Sequence, residues 1–267
     1  MPLYDIDRLD NRDPKKIDRF ATFVERTLAR YHRSEVRHIE RVPSGGALYV
    51  GNHNAGVYTP DTFIFGAAVY RAHGVDAVPF GLGHEVILQL PLFNQLLAPL
   101  GAVRASHENG ERVLRAGKKA LVYPGSDYDA MRPYRLRDRV IFDERRGYMR
   151  LALKTGVPIV PIVAAGAHSA IVVIDDLRWL AKLIGADRYL RLKVWPLVLT
   201  FPWGLTLGPP PPFIPFPSRI VIEVLEPMTF DRVGEQAAAD AAYVDACSER
   251  VRLAMQAVLT RLTAERK

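Results

Sequence analysis

The feature that most restricts how this chain can fold is a set of short segments that are apolar throughout. Residues 47–50 (ALYV), 120–123 (ALVY) and 157–164 (VPIVPIVA) show no alternation of polar and apolar side chains. A strand with one solvated face alternates, whereas a strand that is covered on both faces does not. The three segments therefore predict strands inside a sheet that carries helices on both faces.

Segments with helical features lie between these predicted strands. Thr59 and Pro60 are typical of a helix start, and the pattern predicts helices over 60–72, 108–116 and 147–155. Strands that alternate with helices favour a mostly parallel sheet. The predicted fold class is α/β, with a mostly parallel mixed sheet covered by helices on both faces and with further helices at the N- and C-terminal ends.

The sequence predicts a single domain, because no linker divides the 267 residues. It would consist of an N-terminal helical segment (1–40), an α/β core (42–230) and a C-terminal helix (236–267). The apolar stripe between Ile17 and Tyr31 has two interpretations. The helix packs on the core, or it lies on a membrane with its basic residues facing the headgroups. These basic residues are Lys15, Lys16, Arg19, Arg26 and Arg30.

The sequence lacks the motifs that several common kinds of catalytic and binding site require. No Gly-x-Ser-x-Gly nucleophile elbow occurs, and Cys247 lies on a predicted amphipathic helix, so a covalent hydrolase is disfavoured. No His-Glu-x-x-His or other metal-ligand spacing is present. The segment 123–126 lacks the Gly-Lys-Ser/Thr ending of a phosphate-binding loop. We therefore predict neither a metal site nor a bound cofactor.

His53 follows the first of the buried segments, and Asp61 lies in the first turn of the next predicted helix. Taken singly, each has a structural interpretation: a histidine bonded to local backbone, and an acid that stabilises a helix N-terminus. Taken together, they suggest a His–Asp dyad in which the acid fixes the tautomer of a general base. Ligands bind beyond the carboxyl ends of strands in such sheets, where Arg104, residues 125–129 and His168 are also expected.

Four sequence blocks occur in order: residues 52–61 (NHNAGVYTPD), 101–104 (GAVR), 123–133 (YPGSDYDAMRP) and 157–161 (VPIVP). In this order they resemble the glycerolipid acyltransferase family, which contains the bacterial 1-acylglycerol-3-phosphate acyltransferases. The third block is most similar to the branch related to monoacylglycerol and diacylglycerol acyltransferases. Two features depart from the family pattern. Seven residues instead of four separate the histidine from the aspartate, and the third block lacks Glu-Gly-Thr-Arg.

The resemblance implies a membrane-associated acyltransferase that moves a fatty acyl group to a hydroxyl of a glycerolipid such as lysophosphatidic acid. Acyl-CoA or acyl-carrier protein would be the donor and co-substrate. His53 would be the general base that takes the proton of the attacking hydroxyl, and Asp61 would orient His53. Mono- or diacylglycerol, or another lipid hydroxyl, is the alternative acceptor.

The other blocks imply contacts with the substrates. Backbone N–H groups at Gly125 and Ser126 would stabilise the oxyanion or contact the thioester. Arg104 and Arg132 would bind a phosphate or headgroup of the substrate, and Asp129 would brace one of these arginines or bind a hydroxyl. For Arg132 a second interpretation stays open, because it begins a basic segment (RPYRLRDR) that is also typical of a solvated loop.

The net charge of +7 favours anionic partners. No nucleic-acid-binding motif is present, so we expect an anionic membrane surface and not nucleic acid as partner. The N-terminus has no secretory signal pattern, and no apolar run approaches the ~20 residues of a membrane span. These features predict peripheral, monotopic attachment at the cytoplasmic face of the cell membrane. The aromatic, Pro-interrupted segment 195–216 is either a buried crossover or an interfacial contact.

Two other functions stay open at the level of sequence. The long His–Asp spacing and the altered third block are compatible with a non-catalytic lipid-binding module on the same fold. A lipid hydrolase would use His53 to activate water, and its product would be free fatty acid instead of a new ester.

Overall fold

The computed structural model describes residues 2–56, 58–189, 192–208 and 210–266. The strands are β1 (Glu35–Arg37), β2 (Ala47–Gly51), β3 (Phe80–Gly83), β4 (Ala102–Arg104), β5 (Lys119–Val122), β6 (Ile159–Ala165), β7 (Val172–Asp175), β8 (Leu197–Thr200), β9 (Gly204–Leu207) and β10 (Val221–Val224). The helices are α1 (Pro14–Val24), α2 (Pro60–His73), α3 (Glu85–Gln89), α4 (Pro91–Leu97), α5 (His107–Arg115), α6 (Ser126–Ala130), α7 (Gly147–Thr155), α8 (Arg178–Leu183), α9 (Ala186–Tyr189), α10 (Glu235–Ala239) and α11 (Ala241–Glu265).

The main sheet has the strand order β1-β10-β6-β2-β5-β3-β4. Its neighbouring strands are parallel except β10 and β6, which are antiparallel. β2 lies between β6 and β5, and these are the three strands that the wholly apolar segments predict. Every residue of β2 and of β6 is buried, because helices cover both faces of the sheet. The predicted mostly parallel mixed sheet is confirmed.

Alternate residues of β2 face different layers of helices. Leu48 lies in a core to which α7 and α11 contribute Met149 and Met255. Tyr49 lies in the core on the opposite face, where its ring packs edge-on against Phe65 of α2. Burial of side chains of this size contributes about 1.5–3 kcal/mol each. The two layers therefore hold β2, and the start of the loop that follows it, in a fixed position.

The apolar stripe of the N-terminal helix packs on the core, where Ile17, Ala21 and Val24 of α1 are buried. The apolar stripe therefore packs on the core and is not itself in contact with a membrane. The basic residues of this region lie on the surface, with Lys15, Arg19, Arg26 and Arg30 exposed and Lys16 half-buried.

Two elements differ from their predicted bounds by more than two residues at one end. The C-terminal helix is interrupted at Asp240, where the backbone is extended and the side chain caps α11 by accepting a hydrogen bond from the N–H of Tyr243. The segment predicted as one helix is therefore α10 followed by α11. The sequence also predicts a strand over 218–225, but the last strand of the main sheet is limited to Val221–Val224, the residues that pair with β6.

The sequence does not predict the small second sheet, in which β8 pairs antiparallel with both β7 and β9. Part of the segment 195–216 folds into this sheet. Phe201 and Trp203, in the turn between β8 and β9, are 56% and 50% exposed. The buried-crossover interpretation is therefore wrong for this turn. Within the described ranges, no helix combines the length and the apolarity that crossing a membrane requires.

The main chain at the carboxyl end of β2 is held by two close contacts. A Cβ atom at Gly51 would lie only 2.4 Å from the ring of Tyr123, so the absence of a side chain lets this ring approach the strand. Buried Asn52 continues the ladder to β6, since its Nδ2 donates to the carbonyl of Ala164 at 3.0 Å and its Oδ1 accepts from the N–H of Ala164 at 2.9 Å. These contacts fix the position from which His53 extends.

We predict that Asn52→Ala lowers the free energy of unfolding by about 2–4 kcal/mol, because it leaves a buried N–H and a buried C=O of Ala164 without partners. Urea unfolding followed by circular dichroism measures this loss. The control is Gln89→Ala, which truncates an exposed amide and should change stability by less than about 0.5 kcal/mol. Equal stability of the two variants would contradict the role given to Asn52.

Candidate active site

His53 follows β2 directly and lies at the carboxyl edge of the central strands. Its main-chain N–H donates to Oδ2 of Asp129 at 2.6 Å. Its half-buried imidazole lies against the ring of Tyr123, with 4.7 Å between the ring centroids. Nδ1 of His53 is buried and has no hydrogen-bond partner. The other ring nitrogen, Nε2, is therefore the one that remains for a substrate.

Arg132 is the centre of the polar network beside His53, and its side chain is only 1% exposed. Each nitrogen of its guanidinium donates to the protein. The acceptors are the carbonyl of His53 (2.6 Å), the carbonyl and Oδ1 of Asp129 (3.1 Å to Oδ1), Oδ1 of Asn54 (2.8 Å), and the carbonyls of Leu136 (3.1 Å) and Arg137 (2.8 Å). These contacts satisfy the buried charge from within the chain.

Both sequence-based interpretations of Arg132 require correction. Its burial excludes a solvated loop, and its occupied donors leave none directed at a substrate phosphate. Asp129, expected either to brace an arginine or to bind a hydroxyl, lies against Arg132 and also accepts from the N–H of Ile141 at 3.3 Å. The pair Asp129–Arg132 thus holds the peptide groups of His53 instead of contacting a ligand.

Asp61 is buried in the first turn of α2, but it does not contact His53. Its Oδ2 accepts from Nδ2 of Asn54 at 2.8 Å. Between the side chains of Asp61 and His53, both within the described ranges, neither a hydrogen bond nor an ion pair is formed. Oδ1 of Asp61, like Nδ1 of His53, is buried without a partner. His53 and Asp61 therefore both belong to the hydrogen-bonded network around Arg132 and Asn54. In each of the two side chains, one buried atom has no hydrogen-bond partner.

Asn54 is the residue that sequence reasoning missed. Its Nδ2 donates to Asp61 and to the carbonyl of Asn52, and its Oδ1 accepts from Arg132. It thus links the aspartate at the start of α2 to the buried arginine. The signal in the sequence is its place directly after the histidine, in a His–Asp segment three residues longer than the family pattern.

The burial of the site shifts the pKa values of its titratable groups. Burial, assisted by the nearby charge of Arg132, lowers the pKa of His53 to about 4, so its imidazole is neutral at pH 7. Burial also raises the pKa of Asp61 to about 6, against the opposing effect of the hydrogen bond from Asn54. The same desolvation raises the pKa of Asp129 to about 6. A neutral imidazole is the form that a general base requires.

Gly125 and Ser126 begin the segment that leads from β5 into α6. A Cβ atom at Gly125 would lie 2.1 Å from the carbonyl oxygen of Ile141 and 2.3 Å from Cβ of Asp129. Internal packing therefore already requires a glycine here. The N–H of Ser126 donates to the carbonyl of Tyr123 at 3.1 Å, which leaves the N–H of Gly125 as the better candidate for an oxyanion donor.

Arg104 lies at the end of β4, three strand positions from β2. At a spacing of about 4.8 Å per strand, this places it roughly 14 Å from the strand that carries His53. Its guanidinium makes a bidentate contact with Asp7, at 2.9 and 2.6 Å, and is half-exposed beside a shallow cavity of about 230 Å³. The structure does not bring Arg104 next to His53.

His168 reaches the same edge of the sheet, as its position after β6 predicts, but it is buried. Its Nε2 donates to the carbonyl of Arg132 at 2.8 Å, and its Nδ1 accepts from the N–H of Ala55 at 3.4 Å. Burial lowers its pKa, so it is neutral. Among the described residues, no group of His, Cys, Asp and Glu side chains is arranged to hold a metal ion.

We predict that Arg132→Met lowers the free energy of unfolding by about 3–5 kcal/mol, because it leaves Asp129 buried without its counter-charge. The matched control is Arg139→Met, which removes an exposed arginine of the same basic segment and should cost less than about 0.5 kcal/mol. Chemical unfolding of both variants measures the difference. A small loss of stability in both variants would contradict the burial of Arg132 and indicate that the whole segment is a solvated loop.

The raised pKa of Asp61 predicts how the stability of the protein depends on pH. Between about pH 4 and pH 6 the folded protein binds a proton at Asp61 more tightly than the unfolded chain does, so this group's contribution to stability is lost as the pH rises through about 6. Asp61→Asn removes the titrating carboxyl group, and with it this loss of stability at higher pH. Relative to the parent protein, the variant should gain up to about 3 kcal/mol of unfolding free energy between pH 4 and pH 7. A difference that stays constant with pH would show that Asp61 is not desolvated.

Comparisons with known proteins match the chain to one family and to several relatives. The profile of the family called Acyltransferase matches residues 33–165, about half of the chain, and includes His53, Asp61 and Arg132. An uncharacterized protein of Mycobacterium tuberculosis is 28% identical over 254 residues, which are 93% of this chain and 68% of that protein. A mouse protein called DGAT1/2-independent enzyme synthesizing storage lipids is 26% identical over 218 residues, which are 80% of this chain and 62% of that protein.

A solved structure shares the fold. The crystal structure of the 1-acyl-sn-glycerophosphate (LPA) acyltransferase PlsC from Thermotoga maritima superposes with a TM-score of 0.57 at 16% identity, over 95% of this chain and 84% of that one. The order of the four sequence blocks, the parallel sheet that presents them and the matching family profile lead to the same conclusion: the chain belongs to the acyltransferase family.

Proposed function

We propose that this acyltransferase moves a fatty acyl group from the thioester of acyl-CoA or acyl-carrier protein to a hydroxyl of a glycerolipid, with His53 as the general base. The observation that carries this proposal is the imidazole of His53. It is half-buried at the carboxyl edge of the sheet, and its peptide N–H and C=O groups are bound by Asp129 and Arg132.

In the proposed reaction, Nε2 of His53 takes the proton of the acceptor hydroxyl while the hydroxyl oxygen attacks the thioester carbonyl. A tetrahedral oxyanion forms, and the N–H of Gly125 is our candidate donor to it. The C–S bond then breaks, and the proton on the imidazolium passes to the leaving thiolate. The products are a new ester and a free thiol.

The role proposed for Asp61 requires that its carboxyl group and the imidazole of His53 move into contact. Nδ1 of His53 and Oδ1 of Asp61 are both buried and unpaired, and one can donate where the other accepts. We propose that they pair when the substrates are bound, which would fix the tautomer of the base and stabilise the imidazolium. The desolvation that raises the pKa of Asp61 would strengthen such a pair.

Two acceptor classes follow from the residues around the site. Lysophosphatidic acid would place its phosphate near Arg104, a cation that is half-exposed beside a cavity. A neutral acceptor, such as mono- or diacylglycerol, is the second candidate. A neutral acceptor is favoured because the buried guanidinium of Arg132 is bound within the protein and because Arg104 is already paired with Asp7, so that neither is free for a phosphate. We place the protein peripherally at the cytoplasmic face of the membrane, where such acceptors meet acyl-CoA.

We expect His53→Ala to lower the rate of acyl transfer by about 10²–10⁴-fold, the usual contribution of a positioned general base. The rate is measured as free thiol released from acyl-CoA, together with labelled ester formed on a panel of phosphorylated and neutral acceptors. The control is His73→Ala, which removes an exposed histidine from the end of α2.

The outcome of this panel also separates the alternatives. Unchanged turnover in His53→Ala would contradict the assignment of the base. Lipid binding without release of free thiol from any acceptor would indicate a non-catalytic module. Free fatty acid in place of a new ester would indicate a hydrolase.

A further inference from the structure

The small sheet has an outer face that is apolar, in contrast to the usual pattern of a soluble sheet. Leu205 and Leu207 of β9 are 60% and 56% exposed, whereas Thr206 between them is half-buried. Leu205 pairs across the ladder with Leu199 of β8, which is also exposed, and Leu207 pairs with Leu197. Side chains that are directly opposite in a ladder form one continuous surface. The sheet therefore presents a leucine-covered face outward.

Aromatic and aliphatic side chains extend this face on both sides. The turn between β8 and β9 carries exposed Phe201 and Trp203, and Ile214, which bridges to Phe201, is exposed as well. Near the end of β7, α8 exposes Trp179 and Leu183. We call all of these residues together with Leu199, Leu205 and Leu207 the apolar face. Exposed patches of this kind mark contacts with a membrane or with another protein.

Unpaired arginines border the apolar face. Arg19, Arg26, Arg30 and Arg33 are exposed, and among the described residues no carboxylate lies within 4.0 Å of their guanidinium groups to form an ion pair. Phe23, also exposed, lies among them. We call these five residues the arginine stripe. The stripe connects to the apolar face through Tyr31, whose hydroxyl donates to the carbonyl of Pro215, next to Ile214.

The opposite face of the small sheet packs on the loop that follows His53. Val173 of β7 and Val198 of β8 are fully buried in a cluster with Ala55 and Met131. The end of the N-terminal helical region also reaches this loop, since Nε2 of His32 accepts a hydrogen bond from the hydroxyl of Tyr58 at 2.9 Å. The small sheet and the end of the N-terminal helical region therefore both contact the loop between His53 and Asp61.

We propose that the apolar face and the arginine stripe form one docking surface for an anionic lipid bilayer, with the small sheet lying in the interface and the arginines on the headgroups. Charge decides in favour of a bilayer over a second copy of this chain. Arginines without carboxylate partners repel the same stripe on an identical chain, whereas they are attracted to anionic headgroups. Tryptophan and leucine side chains at the border of a basic surface are typical of interfacial attachment.

The proposal rests on the proposed function in one respect, because docking on a bilayer would bring a lipid hydroxyl to His53. The binding itself needs no turnover. It is measured by sedimentation of the full chain with vesicles of phosphatidylcholine, with or without phosphatidylglycerol, and with no acyl donor present. Turnover is measured separately, on substrates dispersed in detergent.

We expect the protein to bind vesicles with phosphatidylglycerol and to bind pure phosphatidylcholine much more weakly. The variant Arg26→Gln/Arg30→Gln should lower the partition constant on the anionic vesicles by about fivefold per arginine. The variant Leu205→Ser/Leu207→Ser should lower it by about tenfold or more on both kinds of vesicle. All four positions are exposed, so thermal unfolding should be unchanged, and turnover in detergent should be retained because none of them contacts the site.

The matched controls lie on the helices of the opposite sheet face. Leu253→Ser removes an exposed leucine of α11, and Arg150→Gln/Arg250→Gln removes two exposed arginines of α7 and α11. Both controls should bind vesicles as the parent protein does. Equal vesicle binding by the surface variants and the controls would overturn the docking surface. It would also be overturned if the protein did not bind vesicles and formed a dimer in solution that the leucine variant disrupts. Vesicle binding without acyl transfer would leave the surface intact and overturn only the proposed function.

Discussion

The buried guanidinium of Arg132 is the interaction on which the arrangement of this site depends. Removing such a charge from water costs several kcal/mol unless its donors are satisfied. Here the donors reach five residues, among them the carbonyl of His53 and the carboxylate of Asp129. Asp129 in turn accepts the N–H of His53, so the peptide groups on both sides of the histidine are fixed by one ion pair. His168 supports the network from the other side, by donating to the carbonyl of Arg132.

The same network explains the unusual distance between His53 and Asp61 in the sequence. The additional loop residues let Asn54 turn inward, where it joins Asp61 to Arg132. The site thereby buries two carboxyl groups with one arginine. Burial keeps His53 neutral and raises the pKa of Asp61 towards neutrality. On the outside, this loop packs on the small sheet, so it lies between the charged network and the apolar face.

The central sheet could be predicted from the sequence because strands covered on both faces leave a local signal, as in β2 and β6. The position of His53 follows from its place after β2. The role of Arg132 could not be predicted, because its burial depends on acceptors from His53 and Asn54, which are almost eighty residues away, and because neighbouring arginines of its segment are solvated. The small sheet could not be predicted, because its strands have only four residues each and because prolines interrupt the segment that contains β8 and β9.

The central claim is that the Asp129–Arg132 pair acts on catalysis through the position of His53. The most direct test is a double-mutant cycle on kcat with Asp129→Asn and His53→Ala, since residues that act as one unit are not additive. Asp129→Asn alone should slow acyl transfer by about 10²-fold, the scale of a misplaced catalytic group. Once His53 is already alanine, the same change should cost nothing further. If the two losses multiply instead, Asp129 acts independently of His53, and the claim is contradicted.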